Sequence, residues 1–224
     1  MVNKVPVLTL DGPSGVGKGT ICLMVARELG WHILDSGSLY RLLALSAGSE
    51  ADLNNVAQLA DLARDMQIEY VTSGDALGIY LRGVNVSEAI RTEMTGVLAS
   101  KVAAIPEVRQ ALLDKQKAFA QAPGLVADGR DMGTTVFPDA ELKIFLTASA
   151  EERAKRRYKQ LNDKGIDANL SQLTVELKER DERDSTRSAS PLLAADDAIV
   201  IDTTSLDIEQ VLNQVMQLVK QRFG

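Results

Sequence analysis

The chain has 224 residues, enough to bury a substantial core and best fitted by one α/β domain carrying an insertion. Its hydrophobic and charged fractions, 45% and 25%, exclude a disordered protein. A formal net charge of -6 argues against a general DNA or RNA binder, so an anionic ligand has to be held by locally concentrated Arg and Lys.

Val5 to Leu10 is a short apolar run that predicts a strand. It is too short for a signal-peptide core, and no later run approaches transmembrane length. With a single cysteine, Cys22, no internal disulfide or cysteine zinc cluster is available, and a cytoplasmic, membrane-free protein is expected. Asp11-Gly-Pro-Ser-Gly-Val-Gly-Lys-Gly-Thr20 follows. A glycine-rich turn between strand and helix points backbone N–H groups inward, and the helix N-terminus adds partial positive charge, so phosphate is favoured there. The usual pattern is G-x-x-x-x-G-K-[ST]; here Gly19 takes the hydroxyl slot and Thr20 comes one residue later. Lys18 supplies a mobile ammonium for the outer phosphates.

Ile21, Val25 and Leu29 mark one face of a helix stopped by Gly30. The same grammar recurs: Trp31 to Leu34 ends in Asp35 before a helix carrying Leu39, Leu42 and Leu43; Leu125 to Ala127 ends in Asp128. Leu142 to Leu146 precedes a charged helix from near Ser149, and Ala198 to Ile201 ends in Asp202 before a helix from about Leu206. Five strands separated by helices predict a parallel sheet covered on both faces, with ligands at the strands' carboxyl ends. Between them, Ile68 to Arg82 alternates polar and apolar residues around a Ser73-Gly74-Asp75 turn, and Val84-Asn-Val86 offers a third strand. That segment predicts a small antiparallel insertion. The stripe Ile208, Val211 and Val215 reads as core packing, His32 as structural and Cys22 as a small buried residue.

Four segments together resemble bacterial cytidylate kinases: Asp11 to Thr20, Leu34-Asp-Ser-Gly-Ser-Leu-Tyr-Arg41, Ala127-Asp-Gly-Arg-Asp-Met-Gly-Thr134 and Glu179-Arg-Asp-Glu-Arg-Asp-Ser-Thr-Arg187. The resemblance runs from the first strand to the last helix. It implies a P-loop kinase fold and transfer of the γ-phosphoryl group of ATP to CMP or dCMP, with Mg2+. It also implies one domain over 1–224, with a CMP-binding region at 36–100 carrying the insertion at about 67–87, a lid at 149–170, and a monomer. An acceptor phosphate is already an anionic nucleophile, so the reaction needs no general base; relief of phosphate repulsion by Arg, Lys and magnesium is what it needs.

By this resemblance Gly12, Pro13, Ser14, Gly15, Val16, Gly17, Lys18, Gly19 and Thr20 cradle ATP, and Arg153 and Arg157 close over it while Arg156 faces solvent. Ser36, Tyr40, Arg41, Arg91 and Arg130 belong to the acceptor side, with Arg41 and Arg130 on the phosphate. Asp131 would read the cytosine amino group, with Ser100, Arg109 and Arg187 completing the base contacts, and Arg180 and Asp184 would face the sugar. No residue would ligate metal directly; Asp128 either orients Mg2+ through water or caps the following turn. By spacing alone Glu179 to Arg187 reads first as a solvated, ion-paired helix face, and only the resemblance reverses that. Two rival readings stay open: a same-fold kinase for UMP or for a hydroxyl acceptor, as in shikimate kinase, with Asp35-Ser36 facing the alcohol, and a nucleotide-binding switch, which lacks a guanine-reading segment here.

Overall fold

A computed structural model of the chain describes residues 4–48, 55–73, 76–163 and 165–224. In chain order, β1 (Val7–Asp11) leads to α1 (Lys18–Leu29), β2 (His32–Asp35), α2 (Ser36–Ala47) and α3 (Val56–Asp65). Next come β3 (Ile68–Ser73), β4 (Ala76–Leu81), β5 (Val84–Asn85), α4 (Glu93–Val102) and α5 (Pro106–Lys117). The chain then runs through β6 (Leu125–Gly129), β7 (Leu142–Thr147), α6 (Ala150–Asp163), α7 (Leu170–Thr186), β8 (Ile199–Asp202) and α8 (Ile208–Phe223).

The expected five-stranded parallel sheet is present, in the order β2-β6-β1-β7-β8. β1 lies at its centre and is buried along its whole length, which is why Val7, Leu8 and Leu10 do not follow an alternating pattern; Thr9 and Asp11 are its buried polar residues. Its register pairs Leu10 with Asp128 and Asp11 with Gly129, so the two segments richest in functional residues leave the sheet side by side. Gly30 stops α1 at φ 64°, as the sequence predicts, and the Asp35 carboxylate caps α2 by accepting from the Ser38 N–H at 3.0 Å.

The insertion forms an antiparallel sheet β3-β4-β5. Ser73 pairs with Ala76 at its tip; Gly74 and Asp75 of the expected turn lie outside the described residues. The sheet docks on the core through Tyr70, whose ring lies against Phe119 and whose hydroxyl donates to the Asp35 carbonyl at 2.9 Å. Helices α6 and α7 pack on each other through a separate small cluster of Ala154, Leu161 and Leu173, apart from the main core.

One expectation about the core changes. Val211 and Val215 are buried, but Ile208 is 39% exposed. As the first helical residue after the Asp207 cap, it lies at the sheet's carboxyl end beside Gly17, and Val219, one turn beyond Val215, completes the buried stripe instead. Cys22 is buried, as expected.

Candidate active site

The loop from Gly12 to Gly17 joins the end of β1 to α1, and its conformation depends on glycine. Gly15 and Gly17 have φ of 83° and 97°, and a Cβ on Gly12 would overlap the carbonyl of Leu146 on the neighbouring strand. Lys18 is the first residue of α1 and is buried. Its ammonium donates to the Pro13 carbonyl at 2.9 Å across the loop and lies 3.8 Å from the Asp128 carboxylate at the end of β6. Burial lowers the pKa of Lys18 and raises that of Asp128; the nearby guanidinium of Arg130 pushes Lys18 further down, and Lys18 in turn partly offsets the rise at Asp128.

The loop floors a cavity of about 630 Å3 whose other walls include Arg41, Asp128, Arg130, Arg156 and Arg180. An adjoining cavity of about 360 Å3 shares Arg41, Arg156 and Arg180 and reaches Arg157 and Arg183. A third, of about 720 Å3, shares Asp35, Arg41 and Asp128 and extends to Arg91. So many guanidiniums around one space repel one another. Burial and then the charge of Arg130 lower the pKa of Arg180 to about 10, and the Nε of Arg180 has no hydrogen-bond partner among the described residues. Such a cluster is complementary to an anion.

Each arginine is aimed by a different element. Arg41, on α2, donates to the carbonyls of Ile90 at 2.7 Å and Thr92 at 3.2 Å, and its fork lies against Gly96 of α4, the one position where a missing side chain makes room for it. Arg130 donates through Nε to Asp184 on α7 at 3.0 Å. Arg91 lies half-exposed in the short turn Ala89–Arg91, 3.7 Å from Glu88. Arg157 is paired with Glu93 at the start of α4, across the opening between α6 and α4.

Asp131 is buried, in an ion pair with Arg109 and 3.8 Å from Arg187. Arg109 also lies over the ring of Tyr40, 5.6 Å from its centroid, and the buried Ser100 hydroxyl on α4 has no partner among the described residues. Ser36 opens α2 against Gly129, where even a Cβ would come within 2.8 Å of its hydroxyl oxygen. Asp131, Arg109, Arg187 and Tyr40 therefore form one polar cluster, to which the Ser100 hydroxyl makes no hydrogen bond; Asp131 and Arg109 line a separate cavity of about 220 Å3.

The helix Leu170–Thr186 is neither wholly a solvated face nor wholly a site face. Glu179, Glu182 and Arg183 are exposed, whereas Asp184 is buried and Arg180 turns into the cavity. Asp184 spends its hydrogen bond on Arg130 and not on Arg180 four residues before it.

Residues 8–221 match the sequence profile of the family described as cytidylate kinase. The chain is 54% identical to the cytidylate kinase of Aeromonas salmonicida (strain A449), over 100% of this chain and 98% of that protein. It is 55% identical to that of Shewanella frigidimarina (strain NCIMB 400) and 56% identical to that of Stutzerimonas stutzeri (strain A1501), in each case over 99% of this chain and 98% of the relative. The chain belongs to the cytidylate kinase family.

Membership makes the chain a kinase with ATP as its co-substrate. Two arginines of α6, one expected in the cytidylate kinase site and one not, have surroundings that spacing does not reveal. Arg153 is buried, and its guanidinium is given to protein groups: the carbonyls of Ala148 and Ser14, each at 3.0 Å, and the Asp181 carboxylate. It ties α6 and α7 to the phosphate loop. Arg156, expected to face solvent, instead donates to the Thr203 carbonyl at 2.5 Å and lines the main cavity. Two residues without an assigned role also matter to this cytidylate kinase fold: Asp11, which accepts from the N–H groups of Met132 and Gly133, and Glu93, which pairs with Arg157. A carboxylate closing a mostly apolar strand was the available signal for Asp11; nothing in the spacing marks Glu93.

Among the described residues no group of three or more His, Cys, Asp or Glu could hold a metal, and no helix is long and apolar enough to cross a membrane.

Proposed function

We propose that this chain transfers the γ-phosphoryl group of ATP to CMP or dCMP, with the loop Gly12–Thr20 as the donor cradle and Arg41 and Arg130 as the acceptor clamp. The observation that supports this most is that one cavity is walled by both sets of groups, so two phosphates held there face each other. Lys18 and the loop N–H groups hold the donor phosphates, while Arg41 and Arg130 take the acceptor phosphate at two points each. An acceptor oxygen bonds to the γ-phosphorus as the bond to the β-bridging oxygen breaks, and ADP leaves with that electron pair. Positioning and charge neutralisation carry the catalysis, and no group need remove a proton from the acceptor.

The oxygen-rich wall of Asp35 and Asp128 beside the loop fits a hard cation that keeps most of its waters and is held mainly through phosphates. Mg2+ bound there would neutralise developing phosphate charge, with Asp128 as its water-mediated partner. Arg157 leaves Glu93 to meet the transferring group, Arg153 holds the loop itself, and Arg91 assists the acceptor phosphate from the rim. Ser36 and Tyr40 shape the acceptor side.

Base selection falls to Asp131. Cytosine presents an amino donor where uracil presents a carbonyl acceptor, so a buried carboxylate attracts one and repels the other. Arg109 and Arg187 flank and aim that carboxylate, with Ser100 completing the base contacts; Arg180 and Asp184 face the sugar. In this reading 1–224 is one kinase domain, 36–100 with the insertion at about 67–87 carries the acceptor site, 149–170 is the lid, and the protein acts as a cytoplasmic monomer. Rates measured with CMP, dCMP, UMP, AMP and shikimate as acceptors test it: preference for the cytosine nucleotides is expected, and preference for any other acceptor overturns it.

A further inference from the structure

Asp11 is the last residue of β1 and is 5% exposed. Its Oδ1 accepts from the Met132 N–H and its Oδ2 from the Gly133 N–H, both at 2.8 Å, across a sequence separation of more than a hundred residues. These two donors directly follow Asp131, at the start of the π-helical turn Met132–Val136. Asp131 leaves β6 with φ -148° and ψ 25°, outside both the helical and extended regions, so its side-chain direction depends on what holds the turn behind it. A carboxylate with two acceptor oxygens, one for each N–H, is a bidentate grip on that turn.

We propose that Asp11 is the positioning residue that fixes the direction of Asp131 and thereby sets the preference for a cytosine over a uracil nucleotide. This rests on the assignment of Asp131 as the base reader. Asp11 touches neither base nor phosphate. It also directly precedes Gly12, so the strand that delivers the donor loop is the one that holds the base-reading turn. Burial and the charge of Asp131 push the Asp11 carboxyl up to about 6, against the two backbone N–H groups and Lys18, which hold it down. Its ionised form is a strong acceptor for both donors, whereas protonation leaves one of them facing a weakly accepting hydroxyl oxygen. Asparagine, the nearest isostere, has one acceptor and points an NH2 at the second N–H.

The test is kcat/KM for CMP and for UMP at saturating ATP in the full-length wild type, D11N and D131N. D131N is expected to abolish the CMP:UMP preference, and D11N to lower it about tenfold with KM for ATP unchanged. A purely structural staple would lower both rates together and leave their ratio intact. A wild-type ratio in D11N alongside a lost ratio in D131N overturns the role of Asp11 alone; a wild-type ratio in D131N overturns the base-reader assignment and this proposal with it. If D11N does not fold, the wild-type CMP:UMP ratio is followed from about pH 8 to about pH 5.5. It is expected to fall as Asp11 takes up its proton. The groups facing Asp11 are Lys18, Cys22, Asp128, Arg130 and Asp131. Of these, Lys18, Asp128 and Arg130 serve the phosphates and act on both acceptors alike, Cys22 stays a thiol, and D131N shows what the ratio becomes without the Asp131 carboxylate. A flat ratio overturns the proposal.

Discussion

Gly96→Ala should move stability and activity in opposite directions. Gly96 is buried inside α4, and a Cβ there would come within 2.9 Å of Arg41 Nη2 and 3.3 Å of its Cζ, while no backbone obstructs it. The far end of Arg41 must therefore move off its seat on the Ile90 and Thr92 carbonyls, which costs little because the chain is flexible. Replacing glycine within a helix stabilises it by about 0.5–1 kcal/mol. Thermal melting should then show a midpoint equal to or above that of the wild type. If Arg41 grips the acceptor phosphate, losing one charge-assisted hydrogen bond of about 1.5–3 kcal/mol raises KM for CMP roughly tenfold to a hundredfold. KM for UMP should rise by the same factor and KM for ATP should not change, since both acceptors carry the same phosphate. An unchanged KM for CMP in a normally folded G96A protein would refute the placement of Arg41, and an equal rise in KM for ATP would show a general distortion of the cleft.

Lys18→Ala should collapse turnover while leaving the fold intact, since removing a buried ammonium also relieves its burial cost; near-normal turnover would contradict the donor cradle. Gly12→Ala should reduce soluble, folded yield sharply, because its Cβ meets the Leu146 backbone and its φ of 145° disfavours any side chain, and a wild-type melting midpoint would refute that. The stability difference between the wild type and D11N should depend on pH. The folded-state pKa of Asp11 is raised from 3.8 to about 6, so the native state binds the extra proton in between, and the wild type loses stability relative to D11N as pH rises across that window, then levels off. Urea unfolding of both proteins at several pH values measures it, and a constant difference would show that Asp11 is not buried as described.

Much of the fold was legible because it is written in short-range terms. Val7, Leu8 and Leu10 are apolar because β1 is covered on both faces, Gly30 ends α1 because only glycine takes its left-handed conformation cheaply, and Asp35 precedes a helix because its carboxylate caps it. The phosphate loop is legible for the same reason: its glycines and Lys18 act within a few residues of one another. The resemblance of four motifs then supplied the family and the acceptor.

The charge assignments were not legible in the same way. Spacing marks Arg153, Arg156 and Arg157 as neighbours on one helix, yet they go to Ser14 and Asp181, to Thr203, and to Glu93, on different elements. Asp184 lies one helical turn from Arg180 but bonds to Arg130. Ile208 fits an apolar stripe but ends beside the loop. A guanidinium's partner is set by burial cost and Coulomb attraction in three dimensions, and those depend on the sheet register and on which crossovers lie side by side. The sequence by itself determined the strand–loop–helix grammar, the phosphate loop and the family, because those depend on local conformation and residue identity. Only the tertiary structure decided which carboxylate meets which cation, and that Asp11 holds the turn behind Asp131, because β1 and β6 become neighbours only when the sheet forms.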